Sequence, residues 1–431
     1  MTEDPLPTAN HLNMLLEMKK RGVVKDFTEG ADIHLERDAR SIYCGFDPTA
    51  DSLQLGNLIP IIALKKFQEL GHQPIIVIGG GTGLIGDPSG KTAERAMADP
   101  RLVEERAKRF EVQFRRFLDF DHKEKPALLL DNASWLRNVN VVDFMWEVGK
   151  RLSAKRIAGL ESVKERWEKG DQGISLAEFV YTALQAYDFV HLLRNHNCTI
   201  QCGGSDQYGN IVLGVQLARQ SIEGAQVFGV TFPLLVDASG VKLGKTADKG
   251  TLWLDKDLTS PFTLYQYFLS LSDDDASAWL PYLTLLSDEE IEATKAQQMS
   301  SPEGRAAHRR LGSSVVGFVH GHEESVKVES LTKVLFGKNL ESVPIEYLHD
   351  LAGEKSVSIN LRKETHLIDA LVDEKLASSK RQAREFLSSG GIYWNGQKVT
   401  EDCPIGSLPT TAEKYAILKR GARQIRFVVI S

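Results

Sequence analysis

Tyr43-Cys-Gly-Phe-Asp-Pro-Thr-Ala-Asp-Ser-Leu-Gln-Leu-Gly-Asn57 gathers glycines and polar side chains into one turn. Ile42 and Tyr43 read as the end of a buried strand, and Leu58-Ile-Pro-Ile-Ile-Ala-Leu64 with Phe67 reads as a helix packing back on it. Open α/β sheets bind their ligands at such strand ends. Taken alone, the segment reads less readily as a polar loop that holds nothing.

Three further strands have the same form. Pro74-Ile-Ile-Val-Ile78 runs into Gly79-Gly-Gly, Ala127-Leu-Leu-Leu130 into Asp131-Asn132, and Thr199-Ile-Gln-Cys202 into Gly203-Gly-Ser-Asp-Gln-Tyr-Gly-Asn210. Helical patterns lie between them, which predicts a doubly wound parallel α/β domain over 1–235 with its polar turns on one edge. The helical stretch from Val141 to Asn195 is too long for one crossover, so an insertion is expected around 130–195. A mobile polar loop is expected over 236–255, a helical domain over 256–340 and a linker over 341–362. In 363–431, two short amphipathic helices (Leu367–Val372 and Lys380–Phe386) and the strand-and-turn signal Ile392–Val399 predict a small α+β domain.

With 431 residues, the chain should divide into two to four domains. Hydrophobic content of 42% and charged content of 26% are ordinary for a globular protein and exclude disorder. No apolar run approaches the roughly 20 residues of a membrane span, and Met1-Thr-Glu-Asp-Pro5 has no signal-peptide character. A cytoplasmic protein, or one in an organelle if a transit segment was trimmed, with no membrane contact is expected. The four cysteines (Cys44, Cys198, Cys202, Cys403) are too scattered for a disulfide scaffold. Cys198 and Cys202 lie four residues apart on one strand, so no metal site is expected. The net charge of −6 divides into about +4 from Arg362 onward and about −10 before it. A basic end module on an acidic body binds a polyanion locally.

Gly79-Gly-Gly-Thr-Gly-Leu-Ile-Gly-Asp-Pro-Ser-Gly-Lys-Thr92 has Ile85 where a P-loop needs its first glycine. Its glycines suit close backbone approach, and Asp87 suits an ammonium group. Tyr181, Gln185 and Asp188 share one face of an otherwise apolar helix, as ligand contacts or as satisfied core polars. Gly203–Asn210 opens a helix and favours an anionic or polar ligand, or simply supplies a cap through Ser205 or Asp206. Lys242-Leu-Gly-Lys-Thr246, alone, is a solvated hairpin.

Together and in this order, these motifs resemble the class I aminoacyl-tRNA synthetases, and the tyrosyl enzymes in particular, over nearly the whole chain. Gly45-Phe-Asp-Pro-Thr-Ala-Asp-Ser-Leu53 leads into the position of the His-x-Gly-His signature, and Lys242–Thr246 resembles Lys-Met-Ser-Lys-Ser. The resemblance implies a Rossmann-like catalytic domain, an α-helical anticodon-stem domain and a small S4-like RNA-binding domain. It implies L-tyrosine contacts at Tyr43, Asp87, Asn132, Tyr181, Gln185, Asp188, Gln201 and Gln207. Asp87, Tyr181 and Gln185 would grip the α-ammonium, Tyr43 and Asp188 the phenol, and Asn132 would support Tyr43. ATP contacts are implied at Gly45, Asp47, Thr49, Gln54, Gly56, Asn57, Gly204, Asp206, Leu234, Lys242 and Lys245, with Lys91 and Arg95 assisting at the phosphates. Magnesium would arrive with ATP. Tyr208 stands where the family more usually has Trp.

In the tail, Lys380, Arg381, Arg384, Lys419 and Arg420 are the implied RNA contacts for tRNA(Tyr). A homodimer through 130–176 is implied, with Leu176 where relatives often carry an aromatic residue. The chain departs from the family at the first signature, where Gln54 and Asn57 replace both histidines. Carboxylate attack on a phosphate ester moves no proton, so hydrogen-bond donors suffice there. An Asn amide nitrogen lies near the place of imidazole Nδ1, and a Gln amide nitrogen near Nε2. The alternative is a paralogue that has lost activation and keeps RNA binding.

Overall fold

The computed structural model describes residues 14–89, 98–161, 163–164, 167, 174–236, 251–336, 343–421 and 424–431. The first sheet contains β1 (Asp26–Phe27), β2 (Ser41–Phe46), β3 (Gln73–Ile78), β4 (Leu128–Asp131), β5 (Cys198–Gly204) and β6 (Phe228–Phe232), in the order β1-β6-β5-β2-β3-β4. All neighbours pair parallel except β1 with β6. The central strands are apolar on both faces, as a sheet covered on two sides requires: Ile42, Cys44, Ile75, Ile76, Ile200 and Val230 are all buried.

From β2 the chain builds outward through β3 to β4, whereas β5 and β6 lie on the other side of β2. The direction of winding therefore reverses between β2 and β5. Their neighbouring C-terminal ends leave a crevice there, because the following segments turn away from each other.

Helix Leu58–Glu69 buries Leu58, Ile61, Ile62 and Phe67. Helix Leu176–His196 starts at Ser175, whose hydroxyl accepts from the Glu178 amide at 3.2 Å, and stops at Asn197 in the left-handed region (φ 50°). It packs on β5 and on helix Tyr208–Ser221, joining Phe189, Val190 and Leu192 to Tyr43 and Leu213 in one core. This fixes which face of the helix can reach the crevice.

The chain forms two compact units, Met1–Leu258 with Leu271–Leu311, and Thr259–Ser270 with Gly312–Ser431. The helical stretch expected over 256–340 is thus divided between the two units. The expected linker over 341–362 also differs: it contains helix Ile345–Gly353 and strand Ser358–Leu361, the latter pairing parallel with Gln424–Ile430. Leu348 and Leu351, three apart, and Ile359 and Leu361, two apart, are buried and drive those elements.

The second unit's sheet has the order Ser358–Leu361, Gln424–Ile430, Tyr415–Arg420, Ile392–Trp394, Gln397–Val399. Asn395 and Gly396, both at positive φ, turn its hairpin. Helices Leu367–Asp373 and Lys380–Ser388 bury Leu367, Leu371, Ala383 and Leu387 with Trp394 in the core of this sheet.

Candidate active site

The crevice between β2 and β5 is a cleft of about 430 Å³. Tyr43, Gly45, Asp47, Thr49, Gln54, Gly56, Asn57, Asp87, Asn132, Tyr181, Gln185, Asp188, Gln201, Gly204, Asp206, Gln207 and Leu234 all line it. Lys91, Arg95, Lys242 and Lys245 lie outside the described residues.

At one end of the cleft is a buried carboxylate. Asp188 accepts from Asn132 Nδ2 at 3.0 Å and from Trp135 Nε1 at 2.7 Å. Burial pushes its carboxyl up to about 7; those two donors pull against the rise, and the charges of Asp47 and Asp131 add to it. Asn132 does not support Tyr43, as the resemblance implied. Its Nδ2 serves Asp188 and Thr82, and its Oδ1 accepts from the Gly81 amide at 2.8 Å. The Tyr43 hydroxyl is buried with no partner. Burial first, and the neighbouring Asp188 charge second, hold that hydroxyl well above its ordinary range, so it remains a proton donor. An unpartnered hydroxyl beside a carboxylate is costly unless a ligand engages it.

The other end collects acceptors. Tyr181 Oη donates to Asp47 Oδ2 at 2.9 Å, and Thr82 Oγ1 donates to Asp47 Oδ1 at 2.7 Å. Gln207 Nε2 donates to Asp87 Oδ2 at 2.6 Å, while Gln185 Nε2 donates to Gln207 Oε1 at 3.3 Å. These bonds use the amide nitrogens and leave Gln185 Oε1 buried and unpartnered. Asp87, Tyr181 and Gln185 together offer oxygen acceptors suited to an ammonium group. Gln201 Oε1 is likewise buried without a partner.

A continuous chain of hydrogen bonds joins the two ends: Asp188, Asn132, Thr82, Asp47, Tyr181. It depends on Gly79, where a Cβ would stand 1.9 Å from Asp47 Oδ1 and 2.5 Å from Thr82 Oγ1. The glycine tract thus makes room for side chains of the site as well as for a ligand. Sequence reasoning missed Thr82 and Trp135. Thr82 carries no signal separable from the glycines around it, and a lone Trp135 carries none that sets it apart from a core aromatic.

At the first signature, the Gln54 amide donates to Asn57 Oδ1 at 2.9 Å, and the Asn57 amide donates back to Gln54 O at 2.8 Å. A backbone N–H can only donate, so this bond fixes the Asn57 side chain with its oxygen in the turn. Its Nδ2 is the group left to serve a ligand. The turn is braced from 251–255: Leu55 N donates to Leu252 O at 2.9 Å and Leu254 N to Leu53 O at 2.8 Å. These residues were expected in the mobile loop, yet Thr251 and Trp253 form part of the cleft wall.

In the second unit, Lys380, Arg381 and Arg384 are exposed, whereas Ala383 and Leu387 of the same helix are buried. Lys380 pairs with Asp369 at 2.6 Å and Arg381 with Glu385 at 3.3 Å. Arg420 lies 4.0 Å from the Phe386 ring centre and donates to Leu376 O, so part of its work is structural. Among the described residues, no group of three or more His, Cys, Asp or Glu side chains is placed to hold a metal ion.

The family described as class I tRNA synthetases (W and Y) matches residues 36–337, and the tyrosine–tRNA ligase SYY-like C-terminal domain matches 350–428. The chain is 40% identical to tyrosine–tRNA ligase 1 of Bacillus subtilis over 417 residues, 96% of this chain and 98% of that one. It is also 40% identical to tyrosine–tRNA ligase 1 of Vibrio parahaemolyticus over 416 residues, covering 96% and 98%. A C-terminally truncated mitochondrial tyrosyl-tRNA synthetase of Aspergillus nidulans superposes with a TM-score of 0.65 at 28% identity, covering 75% of this chain and 94% of that one.

Asp188 should therefore titrate near pH 7 in the unliganded protein, protonated below and ionised above. Trp135→Phe removes a donor to the ionised form and should move that midpoint upward, read by carboxyl ¹³C resonances of labelled aspartate. A midpoint near 4, or one indifferent to the indole, contradicts the described balance.

Proposed function

The chain belongs to the class I tRNA synthetases of tryptophan and tyrosine, and from that premise we propose how its cleft performs the reaction. The activity is that of a tyrosine–tRNA ligase. L-Tyrosine and ATP give tyrosyl-adenylate and pyrophosphate, and the terminal adenosine of tRNA(Tyr) then takes the tyrosyl group. The observation that carries the assignment of residues is the pairing of Tyr43's orphan hydroxyl with the Asp188 carboxylate. One donates to and the other accepts from a phenol; phenylalanine would leave both unpaired.

In this reading, Asp87, Tyr181 and Gln185 hold the α-ammonium at the opposite end. The substrate carboxylate is thereby directed at the α-phosphorus, and attack expels pyrophosphate. No side chain needs to move a proton in that step. Asp206 and Gly204, at the start of the turn after β5, suit the ribose, and Thr49, Gln54 and Asn57 suit the phosphates and ribose from the β2 side. Lys242, Lys245, Lys91 and Arg95 are assigned to the phosphates by resemblance. Magnesium enters as part of the nucleotide substrate, neutralising the leaving group.

Gln54 and Asn57 act as donors, which is all the signature needs to supply in a step without proton transfer. The fixed orientation of the Asn57 amide supports this. For tRNA, the exposed cations Lys380, Arg381 and Arg384 and the half-buried Lys419 are assigned to phosphates, with a lesser role for Arg420. Homodimerisation is assigned to the inserted segment. Val141 (71% exposed), Val142 (70%) and Trp146 (66%) stand on two consecutive helical segments there, and Leu176 is also exposed. Among the described residues, no helix is long and apolar enough to cross a membrane; the cytoplasm is proposed because the substrates of translation are there.

The full chain with ATP, magnesium, labelled tyrosine and tRNA(Tyr) should form acid-precipitable tyrosyl-tRNA. Binding of tRNA(Tyr) without charging would instead favour an activation-deficient RNA-binding protein. Asn57→Asp separates donor from cap: the aspartate keeps the oxygen that caps Gln54 but loses the N–H, so kcat/KM for ATP should fall at least tenfold. Restoring both histidines with Gln54→His and Asn57→His should change it by less than about thirtyfold, or about 2 kcal/mol. A harmless Asn57→Asp, or a gain of several hundredfold with both histidines, would overturn the donor assignment.

A further inference from the structure

Two thiols on the floor of the cleft have no part in the chemistry above. Cys44 on β2 and Cys202 on β5 are paired in register on adjacent parallel strands, so their side chains leave the same face of the sheet side by side. The strand spacing of about 4.8 Å lies within the separation over which two cysteines can be bridged. Cys202 Sγ reaches the Tyr43 carbonyl at 3.2 Å, directly beside Cys44. Both cysteines are free, and both line the cleft although they are only 3% and 4% exposed. Their row of the sheet continues as Ile76 on one side and Val230 on the other, both apolar. Gly204, two residues beyond Cys202 on the same face, has no side chain to cover it.

We propose that Cys44 and Cys202 are a vicinal dithiol site for trivalent arsenic at the switch point of the catalytic sheet. An arsonous acid, R–As(OH)₂, exchanges its two As–O bonds for two As–S bonds, and the two hydroxyls leave as water with the two thiol protons. The arsenic stays trivalent, so no oxidant is required. Oxidation to a disulfide is the less favoured fate of this pair. Peroxide attacks thiolates, and burial, reinforced by the hydrogen bond to Cys44, holds the Cys202 thiol well above its ordinary range. The other cysteines cannot substitute: Cys198 is four residues from Cys202 on one strand, about 13 Å away, and Cys403 belongs to the second unit.

The test is native incubation of the reduced full chain with phenylarsonous acid, followed by intact mass and peptide mapping. One adduct is expected, heavier by the reagent less two waters, stable to a monothiol wash and released by 2,3-dimercaptopropanol. Cys44→Ser and Cys202→Ala should each weaken capture at least tenfold while keeping the thermal midpoint of a folded protein; Cys198→Ser and Cys403→Ser should capture as the parent does. Absence of a wash-stable adduct, its persistence in Cys44→Ser, or its mapping to Cys198 with Cys202 overturns the proposal.

Discussion

A carboxylate held in the apolar core is the constraint around which the site is built. Asp188 sits on a helix that also contributes Phe189 and Val190 to the main core, and its burial would favour the neutral acid if nothing answered its charge. The answer comes from two places in the chain. Trp135 and Asn132 follow β4, and Asn132 is held in turn by Thr82 and the Gly81 amide after β3. Removing any of these leaves a buried charge short of a donor, a more serious loss than one ordinary hydrogen bond.

The same network carries the geometry from one end of the cleft to the other. Thr82 passes from Asn132 to Asp47, and Asp47 receives the Tyr181 hydroxyl about two turns along the same helical face from Asp188. The end proposed for the phenol and the end proposed for the ammonium are thus positioned by one set of bonds, closed across the point where the sheet reverses its winding. Gly79 is required by this closure rather than by the ligand, since any side chain there would collide with Asp47. On the proposed assignment, selectivity for tyrosine over phenylalanine follows from groups that the fold itself must keep in place.

Local signals made much of this legible. Strand followed by Gly-rich turn placed the loops on one edge, and the spacing of Tyr181, Gln185 and Asp188 placed three side chains on one helical face. What the sequence could not show was pairing across distant segments. The resemblance tied Asn132 to Tyr43, yet its bonds go to Asp188 and Thr82. Trp135 reads as core until its indole nitrogen is seen to have a partner. The expected linker over 341–362 failed for a simpler reason: Leu348, Leu351, Ile359 and Leu361 carry periodicity, but over runs too short to stand out until the strand Gln424–Ile430 supplies their partner.

The account stands or falls on whether the buried pair of Tyr43 and Asp188 reads a hydroxyl. Amino-acid-dependent ATP–pyrophosphate exchange, run in parallel with tyrosine and phenylalanine, measures this without tRNA. Tyrosine should support exchange, with phenylalanine lower in kcat/KM by about 10⁵, the discrimination known for tyrosyl-tRNA synthetases. Exchange with phenylalanine within about tenfold of tyrosine would contradict it, because so small a difference is what a site without hydroxyl recognition gives.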